Sequence, residues 1–206
     1  MSRLPLLLAM HSCTECFGVA VQDPLNPTTP SRSLVFEDGR GLSNSLIARV
    51  EALLPRQRWP ELNALAVATG PGGFTGTRLS VVMARTLAQQ LNCPLLGLSS
   101  YALMAARLAR GVPHPSQPFW ICRVLPRRGR VAGRYAVHHD SIEELVPPRL
   151  LADHQRLDGP VLEAEERVED DVMVLLQCLR EAWAAQASMP WHTVLPIYPT
   201  SPVGAV

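Results

Sequence analysis

Lysine is missing from the 206 residues, so all 19 basic residues are arginine. No residue of this chain can therefore form a Schiff base, fill the lysine position of a P-loop or serve as a kinase lysine. Aromatic residues make up only 5% of the chain, too few for extended base-stacking platforms. No apolar run reaches the roughly 18 to 20 residues of a membrane span, so no membrane role is expected. Charge is sparse too: 18% of residues are charged and the net is +1, which excludes a broadly basic nucleic-acid binder. Cys13, Cys16, Cys93, Cys122 and Cys178 are scattered and odd in number, which fits reduced thiols rather than a disulfide framework. Met1–Met10 lacks a small-residue cleavage site and reads as a buried first strand in a cytoplasmic protein.

Apolar residues, by contrast, reach 47%, enough to bury a core in one medium domain or two small lobes. Strands are expected at Leu4–Met10, Phe17–Gln22, Ser33–Glu37, Ala64–Thr69 and Pro94–Leu98. Leu42, Leu46, Val50 and Leu53 recur at helical spacing until Pro55, and a second helix is expected from Thr75 to Leu91, with Thr75 as its cap. Ser99 or Ser100 can cap a third helix ending near Gly111. Beyond the proline-rich stretch Pro113–Pro118, strands are expected at Phe119–Leu125 and Val131–Val137. A helix after Asp140, a long one over Glu169–Ala187 and a last strand near Thr193–Ile197 follow. This order predicts an α/β fold with a mixed sheet, divided into lobes at 1–112 and 113–206.

The most informative segment is the glycine-rich turn Gly70, Pro71, Gly72, Gly73, Phe74, Thr75 and Gly76, which runs from a strand into a helix. Glycines allow backbone angles and approaches that side chains forbid, and amides at a helix start can hold an anion. The spacing is neither GxGxxG nor a P-loop, so a tight structural turn is the plainer reading.

Gly70-Pro-Gly-Gly-Phe-Thr-Gly-Thr-Arg78 resembles the GPGSFTGxR signature of the TsaB (YeaZ) family. Leu6-Leu-Leu-Ala-Met-His-Ser-Cys-Thr14 is similar to the family's first strand, Pro94-Leu-Leu-Gly-Leu-Ser-Ser100 to a later one, and Pro196-Ile-Tyr-Pro-Thr-Ser-Pro202 to its terminal motif. The resemblance implies an actin/Hsp70/sugar-kinase-like fold of two lobes, the second reduced. It implies a non-catalytic subunit that supports the catalytic sister TsaD, with the small ATPase TsaE, in forming N6-threonylcarbamoyladenosine next to the anticodon of tRNAs. No cofactor is implied, and tRNA is an indirect partner. The sequence departs from the family pattern at His11, where aspartate is usual, at Pro126 in the second-lobe motif, and at Thr200, where arginine is usual. A neutral imidazole does not replace a hard oxygen ligand for Mg²⁺, which weakens any autonomous ATPase or sugar-kinase reading.

Three further groups are candidates. His11-x-Cys13-x-x-Cys16 is either a redox or zinc element or a hairpin turn with reduced thiols. Arg123, Arg127, Arg128, Arg130 and Arg134, near Trp120 and Tyr135, are either a phosphate-contacting patch or a solvated hairpin paired with the acidic stretch Glu163–Asp171. His138, His139 and Asp140 with Glu143 and Glu144 are either a metal cluster or surface, since adjacent strand residues point to opposite faces. For the partner interface, Ser80, Ala84 and Ala88 form a ridge of small residues at i, i+4, i+8. Leu79, Val82, Met83 and Leu87, with Leu46 and Val50 of the preceding helix, offer an apolar face. The resemblance implies that these two helices pair with two of TsaD, and that the same surface makes homodimers when TsaD is absent.

Overall fold

The computed structural model describes residues 5–26, 29–112, 117–126, 128–138, 141–152 and 154–199. The chain opens with β1 (Leu6–His11), β2 (Phe17–Gln22) and β3 (Arg32–Phe36), an antiparallel meander. Helix α1 (Leu42–Leu53) leads to β4 (Leu62–Ala68), helix α2 (Phe74–Leu91) to β5 (Leu95–Leu98), and helix α3 (Ser100–Ala109) follows. β4 pairs parallel to β1 and β5 parallel to β4, giving a mixed sheet in the order β3-β2-β1-β4-β5. Both faces of this sheet are covered, which is why β1 is a continuous apolar run rather than an alternating one. Leu6, Leu8 and Met10 face the α1–α2 side with Val50 and Ala84, while Leu7 and Ala9 face the other side.

The second sheet is built from β6 (Phe119–Leu125), β7 (Gly129–His138), β8 (Ser141–Leu150) and β9 (Val161–Glu163), in the order β8-β7-β6-β9. Helix α4 (Val168–Ala184) closes the order. The helices cross between the sheets. α4 comes from the second half but packs Val172, Leu175, Leu176 and Leu179 against Leu7, Ala9 and Ala66 of the first sheet. α3 comes from the first half and lays Tyr101, Met104 and Ala105 on Phe119, Ile121, Val131 and Tyr135 of the second. Arg107 of α3 meets Asp171 of α4 at 3.3 Å, tying the two crossings together.

Two expected elements differ. Ser141–Leu150 is a strand, not a helix, because it pairs antiparallel with β7, Val137 opposite Ile142 and Ala136 opposite Glu143. Pro147 and Pro148 are tolerated there because β8 is an edge strand. Thr193–Ile197 is not a strand: Trp191–Thr193 form a 3₁₀ turn and an irregular segment follows, with Pro196 unable to donate to a ladder. α2 starts at Phe74 and is capped by Gly73 without a side-chain bond, so Thr75 is not its cap. Ser99 caps α3, its hydroxyl accepting from the Ala102 amide at 3.1 Å.

Candidate functional site

The glycine-rich turn is the point where β4, α2, α3 and the β1–β2 connection meet. Gly73 donates its amide to the Cys13 carbonyl at 2.7 Å, and Ser100 donates its amide to the Gly70 carbonyl at 2.7 Å. The Ser100 hydroxyl donates to the Pro71 carbonyl at 2.7 Å, and the Ser12 hydroxyl to the Gly76 carbonyl at 2.8 Å. Gly70 needs its freedom for a φ of +102°, and the Gly70–Pro71 bond is cis. Gly72 and Gly76 serve close approach instead. A Cβ at 72 would sit 2.1 Å from the Cys13 carbonyl oxygen, and one at 76 would sit 2.7 Å from that of Ser12. Gly72, Gly73, Phe74 and Thr75 remain exposed at the surface of the turn, while these bonds brace it from beneath.

Beside the turn opens a cleft of about 650 Å³ between the two sheets. Cys13, Gly72 and Thr77 line one wall, Tyr101, Arg123 and Arg128 the other. The last described residues, Ile197–Pro199, run along its rim, where Ile197 donates its amide to the Thr69 carbonyl at 2.7 Å. Tyr198 lies 5.2 Å from the Phe74 ring, and Arg78 lies 4.2 Å over Phe74 while donating to the Tyr198 hydroxyl at 3.1 Å. No Asp, Glu or His is among the described residues lining the cleft. Burial pushes the Cys13 thiol up to about 12, leaving no thiolate at neutral pH, and its Sγ donates weakly to the Ala68 carbonyl.

His11 does not line the cleft. It is fully buried, burial lowers its pKa to about 4, and the ring is neutral. Its Nδ1 accepts from the Cys13 amide at 3.5 Å. Cys16 is half-buried and unpaired, and no three His, Cys, Asp or Glu side chains converge among the described residues. His138 lies 3.7 Å from Glu143, while His139 and Asp140 fall outside the described residues, as do Arg127 and Thr200. Of the arginines, Arg123 pairs with Glu166, within the acidic stretch expected to neutralise them. Arg134 pairs with Asp158 and lies 5.8 Å over the Trp120 ring, and Arg130 donates to the Gln155 carbonyl.

The α1–α2 residues divide by burial. Leu46, Val50, Ser80, Ala84 and Ala88 are buried, and Ser80 shares a 2.6 Å hydrogen bond with Ser12. The small-residue ridge therefore lies on the chain's own sheet and leaves no groove for an outside helix. Leu79, Met83 and Leu87 are half-buried against the same core. The solvent face carries Ile47 and Val82, 51% and 56% exposed. Sequence reading reached Val82 through its helical spacing but missed Ile47, whose neighbours on the periodic face are the core positions. It also missed Tyr101 as a cleft residue, because only the crossing of α3 onto the second sheet brings it there.

Residues 40–173 match the family model described as TsaD: tRNA N6-adenosine threonylcarbamoyltransferase. Over 109 residues the chain is 35% identical to the tRNA threonylcarbamoyladenosine biosynthesis protein TsaB of Bacillus subtilis (strain 168), covering 50% of this chain and 45% of that one. Over 107 residues it is 24% identical to the protein of the same name from Buchnera aphidicola subsp. Acyrthosiphon pisum, covering 51% and 47%. The chain thus matches about half the length of these curated relatives. The structure of YeaZ from Pseudomonas aeruginosa superposes with a TM-score of 0.70 at 20% identity, over 94% of this chain and 99% of that one. A second structure, of an uncharacterized protein from the same organism with similarity to peptidase YEAZ, gives 0.71 over the same shares. The shared architecture, two mixed sheets flanked by helices, fits the actin-like α/β fold.

Proposed function

The chain belongs to the family described as TsaD, tRNA N6-adenosine threonylcarbamoyltransferase, and we propose that it serves this tRNA modification as a non-catalytic partner subunit. Its likeness to the TsaB proteins supports the assignment to threonylcarbamoyladenosine formation. The observation that carries the non-catalytic reading is the lining of the interlobe cleft. Transfer from an adenylate needs a carboxylate or comparable group to hold a metal or move a proton near phosphates. The described lining offers none, and the family's aspartate position is a buried neutral His11.

In this reading residues 1–112 and 113–206 supply the sheets of the two lobes, each half lending one helix to the other's sheet, and the protein works in the cytoplasm. The catalytic TsaD-like subunit docks on the outer face of α1 and α2, around Ile47 and Val82 with the half-buried Leu79, Met83 and Leu87. Exposed aliphatic side chains on two adjoining helices suit helix–helix packing. Homodimers form through the same face when the partner is absent, and a TsaE-like ATPase joins the assembled pair. The test combines the full chain with a TsaD-like subunit and follows complex formation by size-exclusion chromatography and calorimetry. Tandem assays follow ATP hydrolysis and modified adenosine. The chain alone should give neither activity, and Val82→Arg should abolish the complex while leaving the fold intact. Turnover by the rigorously purified chain alone, or a normal complex from Val82→Arg and Ile47→Arg, overturns the corresponding half of the reading.

A further inference from the structure

Strand β5 ends the first sheet, and only one of its edges is taken up by β4. The Leu65 amide donates to the Pro94 carbonyl and the Thr69 amide to the Leu98 carbonyl, so the even-numbered residues of β5 point their backbone groups at β4. Successive residues of a strand alternate, which turns the backbone of Leu95 and Gly97 outward. The Met189 carbonyl accepts the Leu95 amide at 2.9 Å. The Leu95 carbonyl and both backbone groups of Gly97 have no hydrogen-bond partner among the described residues. Leu96, Gly97 and Leu98 are half-buried, so this stretch of edge reaches solvent.

Cavities of about 320 and 300 Å³ open on the two sides of that edge, and Leu96, Gly97, Ser99 and Glu144 line both. The first lies on the side of Leu95 and Val194, which belong to the core under α1 and α2, and Leu195, 60% exposed, borders it. The second lies on the side of Leu98 and Ala182, which pack in the core under α4, and Glu181 borders it. A strand laid along β5 therefore places alternate side chains in alternate cavities.

The charge here is one-sided. Glu144 and Glu181 line the cavities, and no arginine or histidine does so among the described residues. Neither carboxylate has a cation as partner: Glu144 accepts from the Ser99 and Tyr135 hydroxyls, and Glu181 from the Gln177 amide group at 2.9 Å. Arg85 donates to the Val194 carbonyl at 3.2 Å but lines neither cavity.

We propose that the free edge of β5 is a docking site for an extended segment of a partner protein in which apolar residues alternate with arginine or lysine. In such strand addition the backbone groups give affinity and the flanking pockets give specificity. An aliphatic side chain suits the cavity beside Val194 and Leu195, and a cationic one suits the cavity that holds both Glu144 and Glu181. The same carboxylates disfavour an acidic segment. No residue of α1 or α2 lines either cavity, so this site and the helix face assigned to a TsaD-like subunit stand or fall separately.

The experiment titrates the full chain into a fluorescein-labelled peptide of alternating valine and arginine, five residues long, and reads anisotropy. A peptide with glutamate in place of arginine is the comparison. The basic peptide should bind saturably and the acidic one should not. Glu181→Arg and Leu195→Ser, both at exposed positions, should each weaken binding about tenfold or more. Glu37→Arg, an exposed acid just after β3 at the opposite edge of the sheet, should leave it unchanged. Circular dichroism confirms that the variants are folded. N-methylating one alternate set of the peptide's backbone amides should abolish binding and N-methylating the other set should not, because only one set faces β5. Bound peptide should also slow hydrogen exchange at the Gly97 amide. No binding of the basic peptide, equal binding of the acidic one, wild-type affinity in Glu181→Arg, or equal effects of the two N-methylated sets overturns the proposal. Protection of the Gly97 amide that rises with the chain's own concentration, without peptide, overturns it too and assigns the edge to a second copy.

Discussion

Gly72 packs directly under the backbone of Cys13, so closely that a single methyl at 72 would lie 2.1 Å from the Cys13 carbonyl oxygen. The carbonyl is not free to retreat, because it already accepts the Gly73 amide at 2.7 Å. The turn that carries the family signature is thus held against the β1–β2 connection by this backbone bond and by the Ser12 hydroxyl, which donates to the Gly76 carbonyl at 2.8 Å.

Gly72→Ala should therefore destabilise the protein by about 3 kcal/mol, a large overpacking cost. In a chain of this size, that lowers Tm by about 6 to 12 °C. Gly41→Ala, where nothing lies within 4 Å of the new Cβ, should leave Tm unchanged or slightly raised. Thermal melts of the two variants side by side check the contrast; equal shifts would refute it.

Ala84→Arg and Val82→Arg should behave oppositely although they lie two residues apart. Ala84 is wholly buried against the first sheet, and an unpaired guanidinium there has no partner. That variant should be insoluble or unfolded by circular dichroism. Val82 is 56% exposed, and its arginine variant should keep the wild-type spectrum and Tm within about 0.5 kcal/mol of stability.

Cysteine reactivity should follow burial. Burial pushes the thiols of Cys13 up to about 12 and of Cys93 and Cys178 to about 11, so each lacks thiolate at pH 7. Iodoacetamide on the native protein should label the half-buried Cys16 first, and Cys13 only after denaturation. Mass spectrometry of timed samples reads the order, and early labelling of Cys13 would revive a redox role for the Cys13–Cys16 pair.

Asp171 should give stability an unusual slope with pH. Burial raises its carboxyl to about 6 against an ordinary value of 3.8, in spite of the Arg167 amide at 2.9 Å and Arg107 at 3.3 Å. Between pH 3.8 and 6 the folded state holds this proton and the unfolded state does not, so this group's contribution falls as pH rises through that window and is constant above it. Asp171→Asn removes the proton. The difference in unfolding free energy between wild type and variant should therefore change between pH 4 and 6 and level off by pH 7, measured by urea titration.

Much was legible because it is local. The helical spacing of Leu42, Leu46, Val50 and Leu53, the Pro55 stop and the Ser99 cap needed only neighbours along the chain, and α1 and α3 stand where these signals put them. The glycine turn was legible for the same reason, since strand, glycines and helix follow one another directly. Ser141–Leu150 was misread because Ile142, Glu143, Glu144, Leu145 and Val146 suit a helix as well as an edge strand. Only pairing with β7 decides between them, and no local signal reports it.

The amino-acid sequence alone determined which segments are apolar enough to bury, where the backbone must turn, and which chemistries the chain cannot perform without a lysine. Tertiary structure alone decided which way those segments face. Ser80, Ala84 and Ala88 form a stripe of small residues whether they approach a partner or the chain's own β4; the sheet behind them settles it. Likewise α4 covers the first sheet rather than the second, and α3 the reverse, which brings Tyr101 and Arg123 to one cleft. Such choices rest on contacts between residues far apart in the chain, whose free energy depends on the whole packed arrangement, not on any stretch of letters.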